Sequence, residues 1–303
     1  MTKATTLMAN ALDRETHIYK VVEGQQIKAD VFGASVGANR PAVVWIHGGG
    51  LIFGSRTTPR PAFLAALLRG GVVVISIDHR LAPETKLADI VDDVRDAWRW
   101  VVEQGPSLLG IDPERVAMAG GSSGAYLTLM SGYCVQPKPR ALAAFAGFGD
   151  ITTPWEAEPS AHYLEKFPPI SREEAVQKLG TALAEPGPEV DRGYFYVYCR
   201  QQGRWPIEVT GHDPLLEPRW FDAYCPIRNV TAQYPPTMLI HGRLDTDVPC
   251  EESQKMAVRL GEANVEYELL TLDGIGHGLS GASPEVVTSV EGRAAAFLVE
   301  HLR

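Results

Sequence analysis

Residues 120–124 read GGSSG and follow an apolar run, RVAMAG, that ends at Gly120. Small and β-branched apolar residues beside glycines predict a buried strand. The run at 125–133 that follows predicts a helix. The glycines therefore lie at a sharp turn from a strand into a helix. The pattern Gly-x-Ser-x-Gly fits this turn in one frame only, with Gly120, Ser122 and Gly124.

This frame separates the roles of the two serines. Glycine is expected at positions 120 and 124 because the strand and helix backbones pass too closely there for a Cβ atom. Ser122 is then an exposed nucleophile at the helix N-terminus, where the helix dipole favours developing negative charge. Ser123 is expected to contribute its backbone N–H. The alternative frame would require glycine at position 125, which is Ala125.

Strand-like and helix-like runs alternate along most of the chain. An antiparallel hairpin across Gly24 is predicted at the start. Strands are then predicted at 41–47, 72–78, 115–120, 140–148, 235–242 and 265–272, and helices at 61–69, 88–103, 125–133, 171–184, 251–262 and 284–302. This alternation predicts an α/β fold with a mostly parallel, doubly wound sheet and helices on both faces.

The alternation stops between residues 151 and 233, which are rich in Pro, Trp and Tyr. We expect this segment to be a cap inserted after the sixth strand, with 1–150 and 234–303 forming the core. One helix is predicted inside it, at 171–184, where SREE resembles a capping box.

A second glycine-rich motif, HGGG at 47–50, ends an early predicted strand. Three consecutive glycines leave backbone amides unshielded, and such donors stabilise the oxyanion of a tetrahedral intermediate. We expect Gly49 and Gly50, together with Ser123, to supply these donors. His47 is interpreted as fixing the loop by hydrogen bonding rather than as a base.

A serine nucleophile needs a base, and the base needs an acid to orient it. Asp245 lies in HGRLDTDVP and His277 in GIGHG, after two successive predicted strands. Their order after Ser122 is the order expected for this kind of turn. Two other acids remain open: Asp247, which suits a helix-capping role better, and Asp150, which follows the preceding strand.

Composition narrows the classes of partner. The 303 residues, 45% of them hydrophobic, are enough for one large core. The net charge of −9 and the absence of a basic cluster disfavour a nucleic-acid partner. No segment approaches the roughly 18 apolar residues of a membrane span, and the first residues lack the apolar stretch of a secretory leader. We therefore expect a cytoplasmic protein that does not bind membranes.

The cysteines and histidines show no metal-ligand spacing. We expect reduced thiols, no metal and no organic cofactor. The four cysteines are Cys134, Cys199, Cys225 and Cys250.

Taken together, five motifs resemble the α/β-hydrolase superfamily, and within it the hormone-sensitive-lipase-like carboxylesterases and acetyl esterases. The motifs are HGGG, HRLAPE (79–84), GGSSG, HGRLDTDVP and GIGHG. The resemblance covers roughly residues 40–302. At two positions the sequence departs from the family pattern, with His79 in place of a tyrosine and Gly121 in place of an aspartate. Both are expected beside the pocket, where they bear on substrate preference.

The resemblance implies an α/β-hydrolase fold, a triad and an oxyanion hole. The triad would be Ser122, Asp245 and His277, and the oxyanion hole would be Gly49, Gly50 and Ser123. The expected function is a serine carboxylic ester hydrolase that acts through an acyl-enzyme on small short-chain, aryl or carbohydrate esters. A homodimer is compatible with this expectation. Two alternatives remain: amide, formamide or peptide hydrolysis on the same triad, and a non-catalytic protein that binds a small ligand.

Overall fold

One sheet of eight strands runs through the protein, whose computed structural model describes residues 14–57, 59–187 and 190–303. The strands are β1 (Arg14–Val22), β2 (Gln25–Phe32), β3 (Arg40–Ile46), β4 (Val73–Ile77), β5 (Ile111–Gly121), β6 (Leu142–Phe145), β7 (Thr237–Gly242) and β8 (Tyr267–Leu272). Residues 1–13, on which the expectation about a leader segment rests, lie outside the described residues.

The strand order is β1-β2-β4-β3-β5-β6-β7-β8. β1 and β2 form the predicted antiparallel hairpin, and β2 is antiparallel to β4. Every neighbouring pair from β4 across to β8 is parallel. The prediction of a mostly parallel α/β sheet is confirmed.

The described residues form ten α-helices. They are α1 (Pro61–Arg69), α2 (Leu87–Leu109), α3 (Ser123–Cys134), α4 (Pro154–Ala157), α5 (Ala161–Lys166), α6 (Arg172–Gln177), α7 (Arg192–Gln202), α8 (Trp205–Thr210), α9 (Cys250–Glu262) and α10 (Pro284–His301). Helices α1 and α10 pack on one face of the sheet, and α2, α3 and α9 pack on the other. None of these helices is long and apolar enough to span a membrane.

The side chains of β3 show why both faces of the sheet are apolar. Trp45 contributes to the core under α1 and α10, where it packs against Phe63. Its neighbours Val44 and Ile46 point into the opposite core, with Trp98 of α2. Alternation along the strand sends successive side chains to opposite faces, so a strand covered on both sides is apolar throughout.

A helix and a strand are examples of predicted elements whose length differs from the observed one. The helix expected at 88–103 continues to Leu109, despite Pro106, and ends at Gly110 with a φ of 66°. It continues because Leu109 is buried and tertiary packing outweighs the cost of a proline. The strand expected at 140–148 spans only Leu142–Phe145, since the backbone turns at Ala146, which has a φ of 52°.

The cap contains more helix than predicted. Ser171 and Glu174 form the expected capping box, but helix α6 ends at Gln177 rather than at 184. Four further helices, α4, α5, α7 and α8, also lie between β6 and β7, and none of these four was predicted. Each has at most eleven residues, so each depends on burial rather than on its own propensity. The insertion after the sixth strand is confirmed, while the boundaries 151–233 stay a prediction.

Buried polar side chains attach the cap to the core. Arg192 on α7 donates through Nε to the carbonyl of Ile52 at 2.6 Å and through Nη2 to that of Ala82 at 2.6 Å. It also forms an ion pair with Glu84. Trp205 on α8 donates through Nε1 to the carbonyl of Gly50 at 2.8 Å. The cap is thereby bonded to the glycine-rich loop that follows β3.

Replacing Gly124 by alanine is predicted to destabilise the fold. A Cβ atom there would lie 2.3 Å from the carbonyl oxygens of Ile46 and His47, both backbone atoms that cannot swing away. We expect a loss of about 2–3 kcal/mol in the free energy of unfolding, measured by urea denaturation. The matched control is Gly292→Ala in α10, where a Cβ would meet nothing within 4 Å. That change should raise stability by about 0.5–1 kcal/mol, and equal effects at the two sites would contradict the steric argument.

Candidate active site

Ser122 lies at the turn between β5 and α3, in a backbone conformation that few residues adopt. Its φ is 55° and its ψ is −123°. A Cβ on Gly120 would lie 2.3 Å from the carbonyl oxygen of Gly124, so both flanking glycines are needed for the close approach. The N–H of Ser122 donates to the carbonyl of Phe145 at 2.7 Å. These contacts hold the Ser122 side chain at the carboxyl end of the sheet.

The neighbouring serine has a structural bond of its own. Ser123 is buried, and its Oγ accepts the backbone N–H of Leu51 at 3.2 Å. Its own N–H is the first of α3 and has no intrahelical acceptor. The side chain of Ser123 therefore holds the glycine-rich loop, and the contribution of its amide to the site stays a prediction. The bond made by the Ser123 side chain was not predicted from the sequence.

The loop after β3 is built from residues with positive φ. Gly49 has a φ of 119° and Gly50 a φ of 59°. The carbonyl of Gly49 accepts the N–H groups of Ile52 and Phe53, both at 2.9 Å, which folds the loop into a tight turn. Within the described part of the chain, the N–H groups of Gly49 and Gly50 have no acceptor. They remain available to an incoming oxygen.

His47 is placed as the sequence suggested, beneath this loop. Its Nδ1 bonds the carbonyl of Gly48 at 2.7 Å, and its ring stacks on His79 with 4.4 Å between centroids. Burial lowers the pKa of His47 to about 4, so its ring is neutral at ordinary pH. His79 is fully buried as well, so it contacts the loop from below rather than lining the pocket.

His277 and Asp245 meet although 32 residues separate them in the chain. His277 Nδ1 lies 2.7 Å from Asp245 Oδ2. Asp245 Oδ1 accepts the backbone N–H groups of Asp247 and Val248, both at 2.9 Å. His241 Nε2 lies 3.2 Å from the same Oδ2 and was not recognised from the sequence as a neighbour of the acid. The carboxylate is thus held in one orientation towards His277.

The electrostatics of this pair follow from burial and bonding. Burial alone would raise the pKa of Asp245, but hydrogen bonds from His241 and His277 hold it well below its usual range. Burial alone would lower the pKa of His277, but its bond to Asp245 and the nearby charge of Asp247 raise it above the usual value. The pair therefore favours an ionised acid, and it supports a positive charge on the imidazole ring.

Asp247 does not have the capping role that its sequence position suggested. The N-cap residue of α9 is Pro249, which makes no side-chain capping hydrogen bond. Asp247 instead accepts hydrogen bonds from the cap and lies against the site, with Oδ2 3.6 Å from His277 Nε2. This contact was not predicted, because the partners of Asp247 come from cap helices that no sequence pattern indicated.

The other alternative acid, Asp150, is engaged elsewhere. Its carboxylate accepts from the hydroxyl and the backbone N–H of Thr152, and it forms an ion pair with Arg228 at 3.1 Å. No contact joins Asp150 to His277 in the described residues. Of the three candidate acids, Asp245 is the one hydrogen-bonded to the imidazole.

Ser122 and His277 open into the same cavity, of about 280 Å³. The glycine-rich loop forms one wall, and aromatic side chains of the core and the cap form the others. Gly121 lines the cavity, as expected, and so does Gly278. The further side chains in its walls are those of Trp45, Phe53, Arg60, Phe145, Tyr196 and Asp247. Within the described residues no hydrogen bond joins Ser122 Oγ to His277 Nε2.

A larger cavity, of about 820 Å³, lies at the opposite end of the strands and includes Glu114, Lys138 and Tyr234. Ligands of open α/β sheets bind beyond the carboxyl ends of the strands, where Ser122 is. The smaller cavity is therefore the candidate active site.

Comparison with known proteins agrees with this architecture. The family described as having the alpha/beta hydrolase fold matches residues 43–280. A protein of unknown function from Staphylococcus aureus subsp. aureus Mu50 superimposes with a TM-score of 0.77 at 20% identity, over 95% of this chain and 100% of that one. Thermogutta terrifontis esterase 2, phosphonylated by cyclosarin, superimposes with a TM-score of 0.68 at 22% identity, over 96% and 95% of the two chains.

Among curated proteins, the non-reducing polyketide synthase ausA of Penicillium brasilianum is 27% identical over 349 aligned positions. The match covers 98% of this chain but only 14% of that protein's length.

The chain belongs to the α/β-hydrolase family, as its motifs indicated. The enzyme class expected from the sequence, a serine hydrolase of the carboxylesterase type, is consistent with this family.

Asp245→Asn is predicted to shift the titration of His277 to lower pH. The variant keeps the burial that lowers the pKa of His277 but loses the carboxylate that raises it. Two-dimensional NMR titration of the imidazole resonances, assigned with His277→Gln, measures the shift. Asp150→Asn is the control and should leave His277 unchanged. A titration unaffected by Asp245→Asn would contradict the pairing.

The raised pKa of His277 in the wild-type protein also affects the pH dependence of the free energy of unfolding. Because the folded-state pKa of His277 is raised, its contribution to stability is present at low pH and is lost as the pH rises through that pKa.

Proposed function

We propose that the protein hydrolyses small carboxylic esters through an acyl-enzyme on Ser122. This proposal rests on one observation, which is that the groups needed for acyl transfer line the same cavity. His277, held by Asp245 at 2.7 Å, opens into it together with Ser122 and the unshielded amides of Gly49 and Gly50. A nucleophile, an oriented base and oxyanion donors in one pocket are the parts that acyl transfer requires.

In the acylation step, Ser122 Oγ attacks the carbonyl carbon of the ester while its proton passes to His277 Nε2. The oxyanion that forms accepts N–H groups from Gly49, Gly50 and Ser123. Each such donor contributes a factor of roughly 10²–10³ to the rate. Collapse breaks the bond to the alcohol oxygen, which takes the proton from His277. The products of this step are the free alcohol and acyl-Ser122.

In the deacylation step, water replaces the alcohol. His277 takes a proton from the water as it attacks the acyl carbon, and the same amides bind the second oxyanion. Collapse returns the proton to Ser122 and releases the carboxylic acid. Asp245 stays ionised throughout, fixes the tautomer of His277 and stabilises its charged form, in keeping with the low pKa of the acid.

The size of the cavity supports a small acyl group. About 280 Å³ lies just below the range of pockets that enclose drug-sized ligands. Its walls include the aromatic rings of Trp45, Phe53 and Phe145, which suit an apolar acyl or aryl group. Amide hydrolysis on the same residues remains the alternative, because the triad does not distinguish the leaving group.

The comparisons support an esterase that reacts with organophosphorus compounds, without fixing the substrate. A structural neighbour, the Thermogutta esterase, is an esterase that organophosphorus compounds phosphonylate. The polyketide synthases share only a fraction of their length with this chain, so no activity of those large proteins is proposed for it. Thioesters are nonetheless worth including in a substrate panel, since the same acylation step cleaves them.

Ser122→Ala is predicted to abolish hydrolysis of p-nitrophenyl acetate, with a fall in kcat of roughly 10⁴-fold or more. The variant should also lose labelling by a fluorophosphonate probe, because the labelled oxygen is absent. Initial rates and gel fluorescence measure the two effects.

Ser123→Ala is the matched control for the adjacent serine. It keeps its backbone N–H but loses the bond from Leu51, so we expect retained labelling and a stability loss of about 1 kcal/mol. Labelling that persists in Ser122→Ala and disappears in Ser123→Ala would move the nucleophile to Ser123. A wild-type protein that is neither labelled nor active on esters would instead favour a binding function.

Longer acyl chains are predicted to lower kcat/KM. We expect kcat/KM for p-nitrophenyl acetate to exceed that for the octanoate by at least about tenfold, because the extra methylenes cannot be buried in the cavity. Phe53→Ala should enlarge the pocket and narrow this ratio. A wild-type preference for octanoate would show that the acyl group binds elsewhere. Matched acetanilide and acetate substrates separate the amide alternative in the same assay.

A further inference from the structure

We propose that Asp247 is a positioning residue for His277, fixed by the cap and acting on the imidazole from the side opposite to Asp245. This inference rests on the proposed ester hydrolysis and adds a fourth side chain to its machinery. Asp247 belongs to the core by sequence, yet most of its bonds come from the cap. It therefore links the cap to the base.

The cap fixes one oxygen of Asp247. Oδ1 accepts the hydroxyl of Tyr163 at 2.9 Å, the hydroxyl of Tyr196 at 2.7 Å and Nη1 of Arg200 at 2.9 Å. Tyr163 lies on α5, and the other two lie on α7. The guanidinium is buried, and the rings of Trp155, Tyr163 and Tyr196 lie within 6 Å of it. Three donors from two cap helices leave this carboxylate little freedom.

The other oxygen is left for the site. Within the described residues Oδ2 accepts no hydrogen bond, and it lies 3.6 Å from His277 Nε2. That distance is too long for a hydrogen bond, so the interaction is between charges. The imidazole ring thus lies between two carboxylates, with Asp245 bonded at Nδ1 and Asp247 close to Nε2.

Four charged groups face His277 from the surrounding elements. Asp245 and Asp247 come from the loop after β7, and their charges raise the pKa of His277. Arg200 on α7 lowers it, and Arg60 donates weakly to the carbonyl of Gly278 beside the ring.

One further acid lies behind Arg200. Glu156 on α4 is fully buried, and burial raises its pKa to about 8, so it is uncharged at neutral pH. Asp247 is the closer acidic partner of Arg200, at 2.9 Å compared with 3.9 Å for Glu156.

The position of Asp247 has two effects of opposite sign. Its charge stabilises the imidazolium that forms when Ser122 gives up its proton, which strengthens His277 as a base. The same charge favours protonation of the resting imidazole, and a protonated imidazole cannot accept the serine proton. Asp247 therefore assists turnover at high pH and restrains it at low pH. If Asp247 served only to anchor the cap, the three hydrogen bonds at its Oδ1 would be sufficient, and its distance from His277 would not matter.

The test compares pH profiles of kcat/KM on p-nitrophenyl acetate for the wild type and Asp247→Asn. The amide keeps the size of the side chain and an acceptor for the cap donors but loses the charge. We expect the ratio of activity at about pH 5.5 to activity at about pH 8 to rise roughly threefold to tenfold. Activity on the high-pH plateau should fall a few-fold, so that the relative profiles diverge in both directions.

Tyr163→Phe is the matched control. It removes one bond between the cap and Oδ1 but keeps the charge of Asp247. The activity ratio should stay at the wild-type value. The same increase in both variants would assign the effect to loosening of the cap and overturn the proposal, as would an unchanged ratio in Asp247→Asn.

A second neutral variant and a second measurement cover the remaining outcomes. Asp247→Ser should give the same increase, which covers the case in which the asparagine amide disturbs Arg200 and the protein fails to fold. NMR titration of His277 reports its pKa without turnover and should move to lower pH in both neutral variants. If the variants are active and the titration of His277 does not move, the proposed role of Asp247 is overturned while the proposed function is not. A wild type inactive on every ester overturns the proposed function, whatever the titration shows.

Discussion

The site depends on one close approach between backbones. β5 and α3 meet β3 so tightly that a Cβ on Gly124 would lie 2.3 Å from a carbonyl oxygen of Ile46. This contact leaves Ser122 with a positive φ, a conformation that costs about 1–3 kcal/mol and persists only where the surroundings impose it. The surroundings here are the cores on both sheet faces and the bond from Ser122 to Phe145. Packing of the whole domain therefore maintains the exposure of one hydroxyl.

The cap contacts the core both at the glycine-rich loop and at Asp247. Trp205 bonds the carbonyl of Gly50, and the ring of Tyr196 fills the space where a side chain at position 50 would be. Tyr196 also bonds Asp247, which faces His277. The same cap helices thus contact both the loop expected to bind the oxyanion and the base expected to transfer the proton. Substitutions in the cap are expected to alter rate as well as substrate range, because they reach both groups.

Sequence reasoning found the groups whose position depends on local chemistry. Glycine spacing placed Ser122 at its turn. Chain order after successive strands indicated His277 and favoured Asp245, while two other acids stayed open. It missed the role of Asp247, because three of the groups around that carboxylate come from α5 and α7. Those helices are short and are stabilised by burial of their aromatic and charged side chains, so the sequence carries no strong helical pattern for them.

The sequence by itself determined the parallel α/β sheet, the insertion after the sixth strand and the residues at the carboxyl ends of the strands. These follow from periodicity and from glycines that local backbone geometry demands. Only the tertiary structure decided which acid pairs with His277 and where Asp247 points. It also decided how the side chain of Ser123 is used. Each of these depends on distances between segments far apart in the chain, and such distances are set by packing rather than by local pattern.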